Sequence, residues 1–254
     1  VRLYDRLLVI IRRLGPEQSG PSTPRHSVMF AVDVPGFGTR TSLRQALIRE
    51  ALYLILRRAC TAVDLSWQGS EGHREDRGDG MFMLAPADTK SAAVVRELVG
   101  EIVKELRRHN RTAPKETRFQ LRMAIHIGWY QRDDNGVVGE DVNHLHRLLD
   151  APVLKQCAKA MPGDLALVIS DAVHRYATSY EIIDPREYLD VKVHVKETSA
   201  VAWLHHPYHL TTDHSARPDP PFRGSTCAGL SQLLLDATSF LESEEPPGDE
   251  PLAG

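Results

Sequence analysis

Cysteine is scarce in this chain: Cys60, Cys157 and Cys227 stand far apart in 254 residues. Three scattered thiols make neither a disulfide framework nor a zinc cluster, so a reduced, cytoplasmic setting is expected. Long apolar runs are missing as well. No stretch approaches the roughly 18–20 residues that span a bilayer, and no signal-peptide pattern opens the sequence. A surplus of one charge is also absent. The formal charge is −3, from 31 basic and 34 acidic residues, whereas a nucleic-acid binder usually carries a clear basic excess. What is present is a globular balance, 42% hydrophobic and 26% charged, enough for a sizeable core.

Three parts are expected. Residues 1–25 read as an amphipathic helix (Leu3, Leu7, Ile10, Ile11 and Leu14, with arginines between) and a Gly/Pro/Ser linker. Residues 26–206 read as the folded domain. Residues 207–254, rich in Pro, Ser, Asp and Glu, read as a largely disordered tail with one short helix at Leu230–Ser243.

Within the domain, Val28 to Asp33 predicts a strand. Thr41 or Ser42 then caps a helix to about Ala62, with Leu43, Leu47, Ala51, Ile55 and Ala59 along one face. The stretch "HREDRGDGMFMLAP" predicts a hairpin turning at Gly78–Gly80, and a second helix runs from about Asp88 to His109 with Val95, Leu98, Ile102 and Leu106 inward. Phe119 to Tyr130 alternates apolar and polar residues, as a strand does. A helix from about Asp141 through Ala158, the strand "LALVIS" and a helix capped by Ser170 come next. A last pair of strands is expected around Glu181–Ile183 and Asp190–Trp203. This β-α-β-β-α-β order with C-terminal additions predicts an α+β, ferredoxin-like sandwich, an antiparallel sheet with helices on one face.

Three segments carry chemistry. "FAVDVPGFGTR" ends a strand at Asp33 and enters a helix through a glycine-bearing loop, whose backbone N–H groups suit phosphate. The hairpin places Asp79 at its tip, on a neighbouring strand, and two such carboxylates beside phosphates suit Mg²⁺. "GVVGEDVNHLHRLLDAP" puts Asn143 and Arg147 at i and i+4 on one helix face. Taken singly, Asp33 also reads as a turn or capping residue, Asp79 as a hairpin residue, and Asn143 and Arg147 as a solvated face.

Taken together, these segments resemble the catalytic domain of class III nucleotidyl cyclases, the adenylyl and guanylyl cyclases, of bacterial type. "FAVDVPGF" is similar to that family's F-x-D-x-x-G-F, "RGDGMFML" to its Gly-Asp hairpin, and "LRMAIHIG" to its R-x-G-I-H-x-G strand. "VVGEDVNHLHRL" resembles G-x-x-V-N-x-A-x-R-L except that Leu145 replaces the alanine, and "VHVKETSAVAWLH" resembles the closing V-K-G strand, with Lys196 at the lysine. The resemblance implies that Asp33 and Asp79 hold two Mg²⁺ or Mn²⁺ ions. It implies that Asn143 orients the ribose, that Arg147 stabilises charge on the α-phosphate, and that Lys196 holds the terminal phosphates. Gly36 and Phe37 would line the phosphate loop. It further implies a homodimer with shared sites, in which one subunit's aspartates meet the other's Asn, Arg and Lys. The product would be a 3′,5′-cyclic nucleotide with pyrophosphate, made from a nucleoside triphosphate.

The base is less determined. The family position three residues before Gly78 is Glu75, which suits guanine donors. Its usual partner position, three before Gly139, is Gly136, which has no side chain; Asn135 beside it is a candidate substitute. A pyrimidine cyclase of the anti-phage kind, acting on UTP or CTP, therefore stays open, as does a catalytically silent nucleotide-binding or docking module. Gly38 also replaces a hydroxyl residue often found after G-F. His144 and His146, two apart on a helix, are expected to serve structure rather than metal, and His126 to be a hydrogen-bonded sheet histidine. The N-terminal helix and the acidic tail are candidate docking points for a regulatory partner.

Overall fold

The computed structural model describes residues 23–67, 73–86, 89–160 and 163–205. The chain falls into two units, Val1–Thr211 and Thr212–Gly254, and every described residue belongs to the first. The expected N-terminal helix and linker, the tail and its helix at Leu230–Ser243 lie outside the described residues.

The chain begins with β1 (Arg25–Asp33), a short 3₁₀ turn (Phe37–Thr39), and α1 (Ser42–Ala62). The hairpin β2 (His73–Asp76) and β3 (Gly80–Leu84) comes next. A π-helical stretch, Ala93–Leu98, leads into α2 (Val99–Thr112). The long strand β4 (Leu121–Asp133) turns into the short β5 (Gly136–Val138), and two helices follow, α3 (Glu140–Asp150) and α4 (Pro152–Ala160). The domain closes with β6 (Leu165–Ser170), α5 (Asp171–Ser179), β7 (Leu189–Val195) and β8 (Thr198–His205). The sheet order is β2-β3-β1-β4-β6-β8-β7, with β5 paired to β4. Among the described residues no helix is long and apolar enough to cross a membrane.

The α+β class and the β-α-β-β-α-β core are as expected, with two corrections to the layering. The sheet is mixed, because β4 and β6 run parallel. A parallel pair needs a crossover, and α3 and α4 supply it. That crossover also puts helices on both faces. Val28, Phe30 and Val32 of β1 and Met123 and Ile125 of β4 pack with Ile48 and Leu52 of α1 and Ile102 and Leu106 of α2. The opposite β1–β4 face is covered by α3 through Val142, Leu145 and Leu148, so Ala124 and His126 are buried too. The polar half of the β4 alternation thus marks a second interior, not solvent.

Three local expectations also change. The buried face of α1 is Ile48, Leu52, Ile55, Leu56, Ala59 and Cys60, while Leu43 stays 71% exposed. This helix carries leucines on more than one side, so periodicity alone leaves its phase open. The single helix expected from Asp141 breaks at Ala151, whose extended backbone is what a residue before Pro152 prefers. Glu181–Ile183 is no strand. The Glu181 and Ile182 N–H groups donate to Thr178 and Ala177 carbonyls and finish α5 instead. The last two strands are a hairpin within 189–205, turning at Lys196 and Glu197.

Candidate functional site

Asp33 is the last residue of β1, opposite Gly80 on one side and Arg122 on the other. The Val34 N–H donates to the Asp79 carbonyl at 3.0 Å, which brings the hairpin tip beside the end of β1. Arg49 of α1 braces that tip by binding the Asp76 carboxylate and the Gly78 carbonyl, the latter at 2.9 Å. Asp33 accepts two bonds from the Arg122 fork, from Nε at 2.7 Å and Nη2 at 2.5 Å. Burial pushes the Asp33 carboxyl above its usual range; Arg122 opposes this, and the nearby Asp79 and Asp150 carboxylates add to it. Asp33 and Asp79 are therefore close enough to repel, a pair that a hard divalent cation would relieve. Among the described residues no group of three or more His, Cys, Asp or Glu side chains is set to hold a metal. The two aspartates still fit Mg²⁺, which takes one or two carboxylates and completes its shell with phosphate and water oxygens.

The loop after Asp33 turns at Gly36, and Phe37 packs its ring partly against the core. Its backbone is partly self-satisfied: the Phe37, Thr39 and Arg40 N–H groups donate to Val34, Gly36 and Phe37 carbonyls at 3.1–3.3 Å. Fewer N–H groups face outward than the sequence suggests.

On the same sheet face, α3 is fixed at its first turn. Asp141 accepts from the Trp129 N–H at 2.5 Å and bonds His126 Nε2 at 3.0 Å. It occupies the space over Gly128, where any Cβ would collide with the Asp141 side chain. A carboxylate only accepts, so His126 Nε2 carries the proton and Nδ1 accepts from Ser170 Oγ at 2.8 Å. Ser170 also caps α5 by accepting from the Val173 N–H. Burial holds the His126 pKa down against the pull of Asp141. Burial works to raise Asp141, but bonds from His126 and the Trp129 N–H outweigh it and leave the carboxyl below its ordinary value. His126 is thus the hydrogen-bonded sheet histidine of the sequence reading. The His144 ring lies against His126 and the His146 ring against Phe82, so the two go to different places.

Farther along α3, Asn143 is exposed and Arg147 is only 18% exposed. Arg147 Nη2 donates to Glu197 Oε1 at 3.1 Å, while its buried Nε finds no protein acceptor. Lys196, beside Glu197 in the β7–β8 turn, is exposed and held at φ 52°, a conformation that favours glycine. Glu75 faces α3 from β2; its Oε1 bonds His73 Nε2 and its Oε2 accepts from Arg77 Nη2, both at 2.8 Å. A Cβ on Gly136 would lie 3.4 Å from Glu75 Oε1. Asn135 is exposed in the β4–β5 turn.

The structure thus brings Asp33 beside the hairpin tip that carries Asp79, and Arg147 of α3 to the β7–β8 turn that carries Lys196, through Glu197; Glu75 stands with His73 and Arg77. The sequence reading left Arg122, Asp141 and Glu197 without roles. Arg122 carried a signal as the arginine of the "LRMAIHIG" segment, on the polar half of its alternation. Glu197 stands where the family pattern gives glycine, a departure that does not foretell its pairing with Arg147.

No protein-family model and no curated protein matches the chain. Solved structures do. The chain is similar to the guanylyl cyclase Cya2 (18% identity, TM-score 0.51), covering 74% of this chain and 97% of that one. It is similar to an adenylate/guanylate cyclase/hydrolase from Silicibacter pomeroyi (23% identity, TM-score 0.52), covering 73% and 98%. A third likeness is to a bacterial light-regulated adenylyl cyclase (14% identity, TM-score 0.51), covering 92% and 65%. From its mixed sheet, its crossover helices and these likenesses, the described domain has the fold of the class III nucleotidyl cyclase catalytic domain.

Proposed function

We propose that the protein is a nucleotidyl cyclase that converts a nucleoside triphosphate into its 3′,5′-cyclic nucleotide and pyrophosphate. The observation that carries this reading is Arg147. A guanidinium that is mostly buried, with an unmet Nε and one exposed glutamate as partner, is costly unless an anion joins it. A phosphate oxygen fits the planar fork.

In this reading the ribose 3′-oxygen bonds to the α-phosphorus in line as the bond to the pyrophosphate oxygen breaks, and the hydroxyl proton passes to solvent. Asp33 and Asp79 hold the divalent metal ions, two per site, which supply Lewis-acid charge neutralisation. Asn143 orients the ribose, Arg147 donates to the charge that grows at the α-phosphate, and Lys196 holds the terminal phosphates. The loop at Gly36 and Phe37 receives phosphate, and Glu75 faces the base. As the family resemblance implies, each site is built from two copies in a head-to-tail homodimer, the aspartates of one meeting Asn143, Arg147 and Lys196 of the other. A test is incubation of the purified protein with ATP, GTP, CTP and UTP in Mg²⁺ or Mn²⁺, with products identified by mass spectrometry. Cyclic product that disappears in Asp79→Ala is expected; none under any condition sinks the reading.

A silent nucleotide-binding module is the second reading, favoured by the neutralisation of Asp33 by Arg122 within the chain. It predicts nucleotide binding without any cyclic product.

A further inference from the structure

Gly136 has φ +132°, a backbone that L side chains rarely adopt. The position beside Glu75 is therefore committed to glycine, and a second contact to a base must come from elsewhere. Arg77 is suited to supply it. It follows Glu75 by two residues and is ion-paired to it at 2.8 Å, with its side chain 49% exposed. The same Nη2 also reaches His146 Nε2 at 3.2 Å, so the fork is tied to α3, the helix that carries Asn143 and Arg147. Both bonds use one of the three guanidinium nitrogens. The Glu75 carboxylate likewise keeps acceptor capacity after bonding His73 and Arg77, since its two oxygens offer about four lone-pair sites.

With Glu75 facing the base in the cyclase reading, we propose that Arg77 is a second base-reading residue, so that the two match a lactam edge, an N–H beside a C=O, and the substrate is GTP or UTP rather than ATP or CTP. Glu75 accepts from the ring N–H and Arg77 donates to the adjoining carbonyl. Both bonds are charge-assisted, and the carbonyl offers two lone pairs to the fork. Guanine and uracil present this order of groups. Adenine and cytosine present an exocyclic amine beside a bare ring nitrogen, which leaves Glu75 facing a lone pair at the ring position. This assignment rests on the cyclase reading for the place of the base.

The test separates the two. Binding of the 3′-deoxy forms of the four nucleoside triphosphates, which cannot cyclise, is measured by calorimetry in Mg²⁺ beside turnover of the natural four. The guanine or the uracil form, or both, is expected to bind about 10-fold or more tightly than the adenine and cytosine forms. Arg77→Ala should cut that preference by about threefold or more, leaving the part that Glu75 reads alone, and Arg77→Lys, which keeps charge but loses the fork, should fall between. Adenine or cytosine leading in the wild type, or a preference unchanged in Arg77→Ala, overturns the inference and leaves the cyclase reading standing. A lactam preference in binding with no turnover overturns the cyclase reading alone. No binding of any of the four overturns both.

Discussion

The end of β1 and the middle of α3 lie over the same sheet face, yet they are finished in opposite ways. At the β1 end the buried acid has its counter-charge: Asp33 meets the Arg122 fork with both partners only 13–15% exposed. On α3 the buried base is left short. Arg147 keeps a buried Nε without an acceptor, and its one partner, Glu197, is 71% exposed. Arg122 offsets part of the cost of burying Asp33, although burial still holds that carboxyl above its usual range; a guanidinium with an unmet donor is poised for an anion. In the proposed cyclase reading, the first region is the scaffold that would hold cations, and the second is the part that would gain most from substrate.

The sharpest break of that comparison is Arg147→Ala, expected to lower kcat by about 10²–10³, as loss of a preorganised donor does. Steady-state turnover near the wild-type value would remove Arg147 from the chemistry. Mixing Arg147→Ala with Asp79→Ala then tests whether the regions act across subunits. Equal mixing should recover about a quarter of wild-type activity, because half of the dimers carry one good site of two. Inactivity of the mixture, with dimers verified by mass, would argue for sites built within one chain.

A smaller effect is expected from Asp141→Ala, which strips His126 and the Trp129 N–H of their acceptor. Stability should fall by about 1–3 kcal/mol in urea titrations, with KM for triphosphate changed less than kcat, since α3 is loosened and no substrate contact is removed. Acidification should act on the same face. Burial lowers the pKa of His126, His144 and His146 below the ordinary 6.5. Groups depressed in this way stabilise the fold fully above pH 6.5, and the contribution is lost as pH falls from there toward their folded values. The urea midpoint should therefore drop between pH 7.5 and pH 5.5, and less so in His146→Gln. A flat profile would mean these rings are more solvated than their packing implies. The smallest change is Lys196→Gly, which relieves a left-handed backbone and should add about 1 kcal/mol of stability while activity falls.

Much of this fold was legible because several elements announce themselves locally. Val95, Leu98, Ile102 and Leu106 are all buried, as their spacing requires. Ser170 caps α5 with its own side chain. The hairpin turns between Asp76 and Gly80 as its glycines demand. What stayed hidden depends on contacts distant in sequence. The phase of α1 is set by which leucines meet the sheet. The second covered face follows from the crossover of α3 and α4, which no period-two pattern records. Of the candidate site, the proximity of Asp33 and Asp79 was readable from strand adjacency. Arg122 as the partner of Asp33 was not, since the two are 89 positions apart. Nor was the left-handed turn at Lys196, where the chain has glutamate at the place the family pattern gives to glycine.

The seat of Asp141 over Gly128 has a consequence for how this sequence can drift. Positions 128 and 141 are sterically coupled: a methyl group at 128 evicts the carboxylate, and with it the acceptor for His126 and, one bond on, the orientation of Ser170. Gly128→Ala should be tolerated better in an Asp141→Gly background than alone, so the two substitutions compensate instead of adding. A library that randomises position 128 alone will therefore underrate what that position accepts once Asp141 is small.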